Sequence, residues 1–173
     1  SGVSWTPIGA ADTNGNVEHC FSGKFYGNGH TISNLDFSSV YGSGVIGGFF
    51  GYIENAEISG LNIKGKIDIN STKDYTYFGT IAGYAEKSNF SDCVSDVSFT
   101  NKYVYGTLGM IGYAENTKIS YCENKGNLNI TGDLGSLYAG GIAGFLAQSE
   151  VSYCKNTGDM TLSAPHGGSI VGQ

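Results

Sequence analysis

The sequence predicts an all-β chain, a right-handed parallel β-helix (β-solenoid) with about three short strands per coil of 28–32 residues. Three observations predict it. A Gly-x-x-Gly-like segment recurs along the chain, the apolar residues that follow it fall in fixed columns, and the length differences between repeats collect in one place.

In chain order, residues 1–44 read as an N-terminal cap and first coil. They hold Trp5-Thr6-Pro7-Ile8-Gly9 and the turn Tyr26-Gly27-Asn28-Gly29-His30. A cap is required because an open solenoid end exposes unpaired strand edges and an apolar core. Ile32–Phe37 matches Ile58–Ile63, extending one strand position back into this coil. The repeats then run 45–77, 78–105, 106–139 and 140–166, and 167–173 begins a further, truncated one. The chain stops mid-repeat at Gly172-Gln173, so it is expected either to continue into flanking domains of a longer parent chain or to have its last coil covered by another partner.

The repeats align on Gly51, Gly83, Gly112, Gly144 and Gly172, at intervals of 32, 29, 32 and 28 residues. An aromatic follows in Tyr52, Tyr84, Tyr113 and Phe145. Later columns read Ile58, Phe90, Ile119, Val151; then Leu61, Cys93, Cys122, Cys154; then Ile67, Phe99, Leu128, Met160. No internal gap breaks these registers, and length varies only at 70–77, 101–105, 131–139 and 163–166. Short alternating runs such as Ile67/Ile69 and Leu128/Ile130 fit strands, and no segment keeps a helical period. One coil cannot bury its own apolar face, whereas a stack spaced at roughly 4.8 Å can.

Composition narrows the function classes. Net charge is −6 and arginine is absent, which argues against a phosphate backbone as partner. No run of 18 apolar residues occurs, so no membrane-inserting helix is expected. Ser1-Gly2 reads as a processing remnant, which leaves export open.

The Gly-x-x-Gly-like segments, Phe25-Tyr26-Gly27-Asn28-Gly29-His30-Thr31-Ile32-Ser33-Asn34-Leu35, Tyr121-Cys122-Glu123-Asn124-Lys125-Gly126 and Tyr153-Cys154-Lys155-Asn156-Thr157-Gly158 resemble the GLUG-motif repeat family of bacterial surface and secreted proteins. The resemblance covers about residue 5 to the end. Thr80 and Ser169 depart from its first glycine, and Phe, Ile or Met replaces its leucine. It implies an extracellular or cell-surface stalk, adhesin or accessory module, with a host or environmental glycan or protein as partner.

Candidate sites follow from the columns. Leu61, Cys93, Cys122 and Cys154 form an inward structural ladder in which the cysteines act as small hydrophobes. In-register parallel strands hold such side chains side by side, so free thiols are expected ahead of a disulfide. Asn124 and Asn156 are expected to pass amide hydrogen bonds between coils. Glu54, Glu86 and Glu115 align three residues after the glycine, a solvated turn or a Ca²⁺ site. Exterior charges are expected to pair as Glu123 with Lys155, Lys118 with Glu150, and along Lys64, Asp96, Lys125. With Phe49, Ile81, Met110 and Ile142 facing inward, alternation sends Phe50, Tyr52 and their counterparts outward. Tyr52, Tyr84, Tyr113 and Phe145 would then form an exterior aromatic face suited to sugar rings or a partner protein, the alternative being that they are covered. No Ser-His-Asp, Cys-His or convergent carboxylate arrangement is legible, and His19, His30 and His166 lie far apart in the repeat map. A non-catalytic scaffold or adhesin is the first expectation, and a carbohydrate-binding or carbohydrate-active β-helix the alternative.

Overall fold

Short apolar runs separated by glycine and asparagine turns build strands that, past the N-terminal segment, pair with their counterparts one repeat away. In a computed structural model that describes residues 3–11, 16–37, 46–69, 75–101, 105–131, 137–163 and 166–173, they stack as a parallel β-solenoid of about four turns. The described residues contain no helix.

Three parallel sheets form the walls. The glycine sheet contains Ile46–Gly47, Phe50–Glu54, Tyr75–Glu86, Tyr105–Glu115, Leu137–Gly140, Ala143–Ala147 and His166–Gly168. A second, short-stranded sheet stacks Lys24–Tyr26, Glu57–Ser59, Asn89–Ser91, Lys118–Ser120 and Glu150–Ser152. The third runs from Thr31–Ser33 through Asn62–Ile69 and Val94–Asn101 to Glu123–Asn124 with Leu128–Ile130, then Lys155–Asn156 with Met160–Leu162. Registers follow the sequence columns from the first full coil onward: Ile58, Phe90, Ile119 and Val151 are successive partners, as are Ile67, Phe99, Leu128 and Met160. The expected match of Ile32–Phe37 to Ile58–Ile63 needs correction, because Phe25 pairs with Ile58 and Ile32 with Ile63.

Two corners in each full coil use the left-handed backbone region. Asn55, Lys87, Asn116 and Gln148 take φ of 53, 47, 49 and 50°, ending the glycine sheet. Gly60, Asp92, Tyr121 and Tyr153 take 59, 55, 54 and 53° at the end of the short sheet. The aligned glycines have a steric cause. A Cβ on Gly112 would lie 2.5 Å from the Gly83 carbonyl oxygen, and one on Gly144 would lie 2.8 Å from that of Gly112. Gly9 joins this column too, its carbonyl 2.3 Å from a Cβ built on Gly51.

Inside that column the sequence reading needs correction. Strict alternation put Phe49, Ile81, Met110 and Ile142 inside and their successors outside. Phe50, Ala82, Ile111 and Ala143 are also buried. The strand bends here, and a register shift places Gly79-to-Ala82 against Gly109-to-Ile111, one residue longer on the earlier coil. Such a bulge breaks the period of two. Both residues between the glycines then face the core, with Phe37, Phe78, Phe90 and Phe99 filling its interior.

The described part of the N-terminal segment packs on the first full coil. Trp5 stacks on Phe49 at 4.6 Å, and Ile8 and Phe21 bridge in parallel to Phe50 and Ile53. Ala10–Ala11 and Val17–His19 form an antiparallel pair that the sequence reading missed. The variable segments are shorter than expected, because strands include residues 75–77, 101, 105, 137–139 and 166. Residues 38–45, 70–74, 102–104, 132–136 and 164–165, which hold the rest of those segments and part of the expected first coil, lie outside the described residues.

Candidate functional site

Several side-chain columns form ladders, so a site is sought among those that leave something unspent. Tyr52, Tyr84, Tyr113 and Phe145 stack with ring centroids 5.2, 4.9 and 5.0 Å apart. This is an aromatic column, but it is no open face: Tyr52 is only 9% exposed and the other three are half-buried. Tyr77 packs edge-on against Tyr84 and Tyr113, Tyr138 does so against Phe145, and His166 stacks on Tyr138. The tyrosines of the strand beginnings thus cover those of the strand ends.

Hydroxyl groups tie this column to the glutamates. Tyr52 donates to the Glu86 carboxylate at 2.8 Å, and Tyr84 donates to that of Glu115. Burial, reinforced by the neighbouring carboxylate, pushes both phenols well above their ordinary value. The Lys87 ammonium lies 2.6 Å from Glu86 and 3.6 Å from Glu54. Its hydrogen bond, with that of Tyr52, holds the Glu86 carboxyl below its usual range. Lys87 thus supplies countercharge to Glu54 and Glu86, and the Tyr84 hydroxyl donates to Glu115. Among the described residues, no group of three or more His, Cys, Asp or Glu is arranged to hold a metal ion.

The cysteines line the interior. Cys93 and Cys122 are buried, Cys154 is half-buried, Cys20 is exposed, and all four are free thiols. Each ladder thiol donates to the carbonyl two residues earlier at 3.3 Å, and the Cys122 amide donates to the Cys154 sulfur at 3.4 Å. Their close stacking pushes the pKa of the Cys122 thiol up and draws that of Cys154 down.

An equivalent hydroxyl ladder closes the other corner. Ser88, Thr117 and Ser149 donate to the carbonyls of Glu86, Glu115 and Ala147, and accept the amides of Ala56, Ser88 and Thr117. Its signal was present in the sequence, a Ser or Thr five residues after the glycine in three repeats. The asparagine ladder forms as expected, Asn124 Nδ2 donating to Asn156 Oδ1 at 2.7 Å. Earlier in that column Ser95 shares a 2.7 Å hydrogen bond with Thr80, the extra residue of the bulge. Lys64–Asp96 and Lys155–Glu123 pair at 2.9 and 3.0 Å. Two charge expectations need correction: Lys125 turns to Glu123 of its own coil, and Lys118 and Glu150, though in register, form no ion pair.

One aromatic column does face water. Tyr121 and Tyr153 are 59% and 79% exposed and stack at 5.0 Å with planes 7° apart. They sit at the second left-handed corner, where Gly60 and Asp92 stand in the preceding coils. The Tyr-Cys dipeptide that each opens is visible in the sequence, but the columns place only its cysteine. The left-handed corner turns the tyrosine outward as the cysteine turns in. Chemically, this is a flat apolar surface beside serine hydroxyls and charged rims. Compared with protein-family models, curated proteins and solved structures, the chain matches none of them.

Proposed function

We propose that this chain is a non-catalytic repeat module of a bacterial surface or secreted protein, a scaffold that displays adhesive side chains outside the cell. The observation carrying this reading is the division between frame and exterior. Interior columns are committed to packing or to hydrogen bonds between coils, whereas one exterior corner column changes from Gly60 to Asp92, Tyr121 and Tyr153 on the same backbone. A frame that tolerates such changes suits display. The GLUG-like repeats support the extracellular placement, since modules of that kind stand on bacterial surfaces.

The aromatic alternative is also favoured by a specific observation, but by different residues. Tyr121 and Tyr153, rather than the covered column from Tyr52 to Phe145, offer an exterior aromatic surface. Beads coated with the chain should be retained on glycan- or protein-coated surfaces above beads carrying an unrelated β-solenoid. Retention on none of them, or release of reducing ends from any polysaccharide tested, contradicts the proposal.

A further inference from the structure

We infer that Tyr121 and Tyr153 form a carbohydrate subsite that stacks a neutral hexose ring on the Tyr121 face beside Asp92; this rests on the adhesive reading above. Bulky side chains rarely adopt φ near +50°. Two successive coils nevertheless place tyrosine there, at 54 and 53°, and leave the rings 59% and 79% exposed. Burial therefore does not explain them. On one side Tyr121 is covered by Tyr153. On its other side the column continues with Asp92 and Gly60, whose small side chains leave the ring uncovered by an aromatic.

The chemistry of that place matches a sugar. A hexose ring has an apolar C–H face that stacks on an aromatic and a hydroxyl rim that needs acceptors and donors. The Asp92 carboxylate is exposed and joins no ion pair among the described residues, which leaves it to accept hydroxyl hydrogen bonds. Ser91 and Ser120 precede the two corners. Charge selects the class of sugar. Within four residues of Tyr121 and Tyr153 along the chain stand Lys118, Lys125, Lys155, Glu123 and Glu150, and Asp92 holds the same corner one coil earlier; this near-equal mix of signs favours a neutral glycan over an acidic polymer or a basic peptide.

Titration of the whole chain with neutral gluco-, manno- and N-acetylglucosamine hexasaccharides, and with a lysine-rich peptide, tests this. At least one hexasaccharide should bind, and Tyr121→Gly should weaken it tenfold or more. Tyr121→Phe, which keeps the ring, should retain it, and Tyr84→Phe should leave it unchanged. The glycine variant suits the corner, where Gly60 already stands, so misfolding is not expected to obscure the result. Absence of hexasaccharide binding, binding indifferent to Tyr121→Gly, or preference for the peptide overturns the inference. Bead retention on glycan-free protein with no hexasaccharide bound removes this subsite alone. Hexasaccharide binding without bead retention on any surface upholds the subsite and removes the adhesive reading.

Discussion

Tyr121 illustrates how a single residue can sit against local preference. Its left-handed conformation costs an L-residue about 1–2 kcal/mol, and stacking on Tyr153 returns about 0.5–1.5 kcal/mol. Replacing it with glycine should therefore leave stability within about 1 kcal/mol of wild type. Urea unfolding checks this, and a much larger loss would mean that the ring supports the fold. Thr107 sets the opposite case. Its hydroxyl is buried with no hydrogen-bond partner among the described residues, in register with Tyr77 and Tyr138. Thr107→Val removes that unsatisfied group at nearly constant shape and should raise stability by about 1 kcal/mol. An unchanged or lower unfolding midpoint would contradict it. Neither feature was legible in the sequence. A left-handed backbone at tyrosine is set by the corner geometry, and a lone threonine does not reveal which way it faces.

At the scale of the element, the ladder is the unit of stability. A Cβ on Gly112 meets the backbone of the neighbouring coil, so Gly112→Ala should cost about 1–3 kcal/mol, an overpacking penalty. Thermal unfolding would show it, and a variant as stable as wild type would remove the steric account of the glycine column. The phenol–carboxylate links give a pH signature. Tyr52 and Tyr84 have raised pKa values in the fold, so their stabilisation is fully present below the unfolded value near 10.0 and declines as pH rises beyond it. A Tyr52→Phe, Tyr84→Phe variant should lose less stability than wild type between pH 9.5 and 11. Identical alkaline limbs would contradict this. The columns themselves were readable because equal spacing puts like residues in register. Their facing was readable for the cysteines and asparagines, which lie on regularly alternating or cornered stretches. It failed at Phe50 and its counterparts, because a bulge breaks the alternation on which facing depends.

For the whole molecule, the solenoid follows from repetition more than from any local preference. Five aligned glycines and three apolar columns sufficed to place residues about thirty apart beside one another, and that is where the structure pairs them. The exterior was less legible, since its residues answer to solvent or a partner and not to the frame. Lys118 and Glu150 align yet form no ion pair, and the open aromatic surface lies at Tyr121 and Tyr153 rather than along Tyr52 to Phe145. The most direct test is the pattern of backbone nuclear Overhauser contacts in the isotope-labelled chain. Contacts should link Ile58 to Phe90, Phe90 to Ile119 and Ile119 to Val151, with the slanted pattern of parallel strands. Close Hα–Hα contacts pairing consecutive strands as antiparallel hairpins would contradict the stacked solenoid.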